Sequence, residues 1–176
     1  MNTNHQSYTS QKAQDIVKGA LVAALYVALS MLLAPLTFGP LQIRLSEGLN
    51  YLGLYNKRYV YSITLGVFIV NYFSYGIWDM LVGSIGTYVF LLIGRALGDW
   101  IVNHYKFTVD PMIVKYAVLA VIFSLSMFTI ATLVIVLGFE AAFWPTYGML
   151  AGTEFIAMAV SAFIVYPISK RINFDD

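Results

Sequence analysis

The sequence predicts an all-α integral membrane protein, one bundle of six transmembrane helices spanning residues 1–176 behind a polar tail at 1–14. Three observations predict it. Of 176 residues, 60% are hydrophobic and 11% charged, less than half the charged share of an ordinary soluble domain. Ten Lys and Arg with nine Asp and Glu are too few to cover a water-soluble domain of this length. The charges also avoid long stretches of chain, and most of the basic ones fall at one face of the bundle when the crossings are counted. At roughly 20 apolar residues per crossing, the length allows about six or seven helices and no soluble catalytic domain. A nucleotide-driven engine would therefore sit on another chain. The net charge of +1, carried by dispersed basic residues, excludes nucleic acid as a partner. No Cys is present, which excludes disulfides and thiolate metal sites.

Met1 to Gln14 is polar and lacks a small-residue cleavage motif after the first apolar run, so no removable signal peptide is expected. The first helix, 15–36, lies largely in the charge-free run Gly19 to Ile43. Pro35, Gly39 and Pro40 end it and predict a non-helical outer loop or re-entrant piece from Leu36 to Ile43. Such backbone survives near a bilayer only inside protein or along a wet cavity. The second helix, 44–56, is uncharged only from Gly48 to Asn56, and hydropathy alone leaves it undecided. The positive-inside rule decides it. With six crossings and a cytoplasmic N-terminus, Lys12, Lys18, Lys57, Arg58, Lys106, Lys115, Lys170 and Arg171 share the cytoplasmic face, eight of the ten basic residues. Five crossings would put six of these outside. The charge-free runs Tyr59 to Trp78, Met80 to Gly94, Tyr116 to Phe139 and, apart from Glu154, Ala141 to Ser169 then give helices at 58–75, 79–104, 113–138 and 147–169. Tyr72, Tyr75, Trp78, Trp144 and Tyr147 form an outer aromatic belt, and Tyr55, Tyr59, Trp100, Tyr105 and Tyr166 an inner one.

The charges left over are Arg44, Glu47, Asp79, Arg95, Asp99, Glu140 and Glu154. Arg95 and Asp99, spaced i, i+4, suit an ion pair that snorkels to the inner interface. Glu140 opens an outer loop and is solvated. Asp79 stands where the fourth helix starts, placed either to cap it or to meet a ligand. Arg44 and Glu47, spaced i, i+3, can pair with each other and let a weakly apolar helix insert, but the neighbouring Gln42, Ser46 and Asn50 add polarity that a structural pair does not need. Glu154 lies about 10 Å below the outer surface, counted from Tyr147. An ionisable group at that depth marks a functional site. Asn71, Tyr72, Tyr88 and Trp144 add polar and aromatic groups to the same half, so the outer half describes a pocket and the inner half is plain apart from Arg95 and Asp99. Its chemistry suits a small, planar, polar molecule: aromatic faces for stacking, carboxylates for paired N–H donors, Arg or Gln for a carbonyl. On the first helix Ala20, Ala24 and Ala28 recur every fourth residue, a smooth stripe for internal packing or for a separate protein.

The run LLAPLTFGPLQIRLSEGL at residues 32–49, with Pro35, Phe38, Gly39, Pro40, Gln42, Arg44, Ser46 and Glu47 in place, resembles the signature of the QueT family of queuosine-precursor transporters. Length, helix count and N-in topology resemble that family over nearly the whole chain; Tyr55, Asn56 and Lys57 stand where a proline-rich turn is common. The resemblance implies the substrate-binding (S) component of an energy-coupling factor (ECF) transporter in a bacterial cytoplasmic membrane. It implies association with a transmembrane T component and two ABC ATPases, docked on an AxxxA-type stripe that Ala20, Ala24 and Ala28 match. The implied ligand is a 7-deazaguanine such as preQ1 or preQ0, bound near the outer surface; the residues of this sequence expected to meet it, on their own position and chemistry, are Gln42, Arg44, Glu47, Asn71, Tyr72, Asp79, Tyr88, Trp144 and Glu154. No cofactor or metal is expected, and no HExxH or GxSxG motif suggests an enzyme. Two other readings share these residues: an S component for a flavin, a pterin-like compound or another vitamin, and a stand-alone carrier in which Glu154 couples protons. Loss of uptake on removal of partner ATPases separates the second from the rest.

Overall fold

In a computed structural model of the chain, residues 3–37, 43–74, 76–140 and 142–175 are described, without the side chains of residues 3–10 and Ser74. They form helix α1 (Thr3–Leu32), a single turn α2 (Ala34–Thr37), a 3-10 helix (Leu45–Leu54), and helices α3 (Lys57–Ser74), α4 (Ile77–His104), α5 (Pro111–Val136) and α6 (Phe143–Ser169), with no strand among the described residues. Four segments are long and apolar enough to cross a bilayer: Gln11–Leu32, Ile77–His104, Pro111–Val136 and Phe143–Ser169. The surface is apolar, with Phe163 83%, Leu32 79% and Val136 76% exposed, while Asn50, Asn71, Glu47, Asp79 and Glu154 are buried. That inversion suits lipid outside and a polar site within. The protein is a multi-pass membrane protein.

Two elements differ from expectation. The polar tail is helical from Thr3, because nothing between Thr3 and Lys18 breaks a helix that already runs to Leu32. The second helix is a 3-10 helix, unusually long for that form. Its neighbours account for it: Ser46 to Leu54 are all buried, held by α6, α3, α1, α4 and α5. At about 2.0 Å per residue it also reaches about a third further than an α-helix of equal length. Of the predicted loop at Leu36 to Ile43, Leu36 and Thr37 belong to α2, while Phe38, Gly39, Pro40 and Gln42 lie outside the described residues, as does Tyr75. The remaining helices fall close to their expected bounds, α6 starting one turn early.

Three residues per turn stack the side chains of the 3-10 helix in columns. One column holds Glu47 and Asn50, and Arg44, the extended residue just before the helix, stands three positions ahead of Glu47. A second, Gly48 and Tyr51, meets α6: a Cβ on Gly48 would overlap Ser161, and Tyr51 OH donates to Met158 O at 3.0 Å. A third turns Ser46 to α1, where Ser30 Oγ donates to its hydroxyl at 2.7 Å. The long helices follow one another α1–α3–α4–α5–α6 around this central piece.

The basic residues gather at one end. Arg58 pairs with Asp15 of α1 and donates to Phe174 O at 3.4 Å, and Asn56 Nδ2 donates to Asp175 O at 3.0 Å, so α1, the start of α3 and the C-terminal segment meet there. Asp110 caps α5 through the Met112 N–H at 2.8 Å and holds Lys170 at 2.5 Å. The ammonium hydrogen bond, then the backbone N–H, hold its carboxyl below the usual range. The Arg95–Asp99 pair does not form: Asp99 pairs with Lys115 at 2.5 Å, and Arg95 donates to Gly53 O, satisfying a carbonyl that the end of a helix leaves open. Nor is this half plain. Tyr51 and Tyr116 stack with centroids 4.0 Å apart, Tyr55 OH lies 3.1 Å from Tyr116 OH, and Tyr59 is buried. Tyr59 is therefore an interior packing group rather than a member of a belt, while Tyr55 and Tyr166 are half-buried against the same cluster.

Candidate functional site

At the opposite end, where α3 closes and α4 opens, the polar residues converge on a cavity of about 50 Å³ whose lining includes Arg44, Glu47, Asn71, Asp79 and Glu154. The chain reaches it by four routes. Arg44 comes from just before the 3-10 helix and Glu47 from its first column. Asn71 comes from the last turn of α3 and Asp79 from the first turn of α4. Gly76 makes the link between them possible, since it precedes α4 with φ of 86°, a conformation that costs other residues a steric penalty. Glu154 comes from α6, about 16 Å along the axis from Phe143. Its distance from Tyr147 along α6 is the expected one, about 10 Å, though the helix itself begins a turn earlier.

Arg44 Nη1 donates to Asn71 Oδ1 at 2.9 Å, Asn71 Nδ2 donates to the Asp79 carbonyl at 3.2 Å, and Arg44 Nη2 lies 4.0 Å from Asp79 Oδ2. The expected Arg44–Glu47 pair gives way to this arrangement. Glu47 is satisfied instead by Tyr26 OH at 2.5 Å on one oxygen and Asn50 Nδ2 at 2.6 Å on the other. Asp79 is no cap either: it is the third residue of α4, no side chain caps that helix, and its carboxylate lies favourably near the positive end of the helix dipole. Two buried carboxylate oxygens keep no hydrogen-bond partner among the described residues, Asp79 Oδ2 and Glu154 Oε1. Buried polar atoms are normally satisfied, so orphans of this kind call for an outside donor.

The remaining expectations divide. Gln42 lies outside the described residues. Tyr72 is 60% and Trp144 76% exposed; Tyr72 packs on Phe73 and Trp144 on Phe143, both away from the cavity, because each is turned by its helix toward the lipid face. Tyr88 faces Tyr61. The aromatic rings that do line the cavity are Phe90 and Phe123, two positions beyond Tyr88 and on α5. Sequence reasoning missed them, since an interior Phe looks the same whether it packs a core or floors a site. It also missed Tyr26, fully buried, whose polar handle amid the aliphatic residues of the first helix was an available signal. Ala20, Ala24 and Ala28 are exposed, so the stripe is not internal packing of this chain; Gly19 and Ala23 are the small residues that α1 buries. A second space of about 420 Å³ lies between α5 and α6 at the basic end, walled by Tyr51, Tyr116, Phe155, Ala159 and Phe163. Its lining is almost wholly carbon and offers a polar ligand nothing to bind.

The family model described as QueT transporter matches residues 16–170. The queuosine precursor transporter QueT of Lactococcus lactis subsp. cremoris (strain MG1363) is 40% identical over 164 residues, 92% of this chain and 96% of that protein. No solved structure matches the chain.

Proposed function

Because this chain belongs to the QueT transporter family, we propose that it is the substrate-binding membrane subunit of an ECF-type importer of a queuosine precursor, a 7-deazaguanine, energised by partner ATPases. The observation that carries this reading is the cavity in which Arg44, Asn71, Asp79 and Glu154 converge, with carboxylate oxygens that have no hydrogen-bond partner among the described residues. A guanine edge presents two parallel N–H donors, the complement of a carboxylate, and a carbonyl oxygen, the complement of a guanidinium. Phe90 and Phe123 offer faces for the flat ring. Glu47, with both oxygens already engaged, contributes by fixing the segment from which Arg44 extends. About 50 Å³ holds about three waters, too little for a bicyclic base. Binding therefore requires side chains at the lining to shift, the flexible Met127 among them.

The topology in this proposal has six crossings, counting the 3-10 helix and α3, with both termini cytoplasmic, since the basic end gathers α1, α3 and the C-terminal segment. The site then opens to the outside. Ala20, Ala24 and Ala28, facing outward on α1, form the surface on which the T component docks; small residues let helix backbones approach closely. Calorimetry of the purified protein with a 7-deazaguanine, together with Ala24→Leu, tests the reading. The variant is expected to bind ligand as the parent does, yet to lose co-purification with the T component and lose uptake. A parent protein that binds no deazaguanine, or uptake that persists without the ATPases, would overturn it.

A further inference from the structure

The charges lining the cavity do not balance. Three carboxyl groups, Glu47, Asp79 and Glu154, face it with one guanidinium, Arg44. That guanidinium is already committed, donating to Asn71 at 2.9 Å and lying 4.0 Å from Asp79. The donors to Glu47, Tyr26 OH and Asn50 Nδ2, are neutral groups that bring no charge. Glu154 is 4% exposed, and its Oε1 has no hydrogen-bond partner among the described residues. A carboxylate in that position is costly until a positive charge or a hydrogen-bond donor reaches it. A neutral heterocycle supplies donors and leaves the charge excess as it was. A ligand with a cationic arm removes both deficits at once.

We infer that Glu154 makes this site selective for a ligand bearing an alkylammonium group beside its planar ring, against a neutral ligand of the same ring and similar size. The inference rests on the deazaguanine reading above and goes beyond it by naming the charge that the substituent must carry. In this arrangement Arg44 and Asn71 take the acceptor edge of the ring, Asp79 shares the donor edge, and the ammonium reaches Glu154 Oε1 from within the cavity. The hydrogen bond is charge-assisted at both ends, the strongest kind available in a protein interior.

The test is calorimetry of the full chain with three 7-deazaguanines that differ only at the 7-substituent: aminomethyl, which is an ammonium ion at neutral pH, hydroxymethyl, which donates a hydrogen bond without charge, and cyano, which does neither. The parent is expected to bind the aminomethyl compound at least about tenfold more tightly than either neutral compound, as a hydrogen bond between charged groups warrants. In Glu154→Gln that preference should shrink to less than about threefold, the aminomethyl compound losing more affinity than the hydroxymethyl one, a pattern that a merely structural role for Glu154 would not give. The comparison among ligands on the parent needs no variant, so poor folding of Glu154→Gln leaves the inference open to refutation. Equal binding of the three compounds, or preference for a neutral one, overturns the inference and leaves the deazaguanine site standing. Binding of none of them overturns both.

Discussion

Removal of one hydroxyl from the first helix should loosen the carboxylate at the centre of the site. Tyr26 is fully buried, and its phenol donates to Glu47 Oε1 at 2.5 Å while Asn50 serves the other oxygen at 2.6 Å. Tyr26→Phe keeps the ring and leaves that carboxylate oxygen without its donor. A hydrogen bond to a charged group is worth about 1.5–3 kcal/mol. Glu47 also lines the cavity, where water can take over part of the lost bond, so the lower part of that range, about 1.5–2 kcal/mol, is expected. For a chain of this length that is a fall in Tm of about 3–8 °C. The assay is thermal unfolding in detergent of the parent, Tyr26→Phe, Glu47→Gln and the double variant. If Tyr26 acts through Glu47, the two changes should be non-additive by about 1 kcal/mol. A Tm within about 1 °C of the parent, or fully additive changes, would refute the role given to the hydroxyl.

Cysteine labelling is clean in a chain with no Cys: in the proposed topology, Asn56→Cys stays unlabelled by an impermeant thiol reagent added outside and reacts once the membrane is permeabilised, and outside labelling would sink that topology. Gly48→Ala forces a Cβ against Ser161 and should cost about 1–3 kcal/mol of stability; Ser161→Gly in the same chain should restore most of it, read by unfolding in detergent. Asp110→Asn should lower Tm at neutral pH by a small amount, the bond to Lys170 being exposed. The Asp110 carboxyl titrates below its ordinary range when folded, so its contribution is present above the ordinary carboxylate pKa of about 4 and is lost as pH falls through the lowered folded value. The difference between Asp110→Asn and the parent should therefore vanish at low pH, and a difference that grew on acidification would contradict the pairing.

The membrane class and the helical segments were legible because hydropathy and charge act residue by residue. Lengths of uncharged chain place α1, α4, α5 and α6, and their bounds moved by at most a turn apart from the early start of α1. The form of the second helix was not legible, since ten residues with Gly48, Asn50 and Gly53 carry no signal for i→i+3 hydrogen bonding. That form is imposed by the five long helices packed around it. The charged and amide members of the cavity were visible in Arg44, Glu47, Asn71, Asp79 and Glu154, because ionisable and amide side chains within apolar stretches stand out. Their partners were not. Arg44 and Glu47 look like a pair at i, i+3, yet α3 and α4 offer Arg44 its contacts and α1 supplies Glu47 with Tyr26, and none of these is a neighbour in sequence. Tyr72, Tyr88 and Trp144 failed for a related reason: an aromatic residue near a helix end is equally at home against lipid, and only the rotation of the helix decides.

The column geometry of Leu45–Leu54 gives this stretch a reading frame of three. Deletion of Leu49 would turn every later residue by about a third of a turn, swinging Tyr51 out of α6 and into the row of Glu47, and Asn50 out of that row altogether. Insertion of three residues before Gly53 would preserve the frame but push the far end about 6 Å along the axis, carrying the Gly53 carbonyl away from Arg95. Substitution can explore this segment, and changes of length cannot. Redesign of the pocket for another ligand has to proceed by exchanging side chains at Arg44, Glu47 and Asn50 in place, with the spacing between them left as it is.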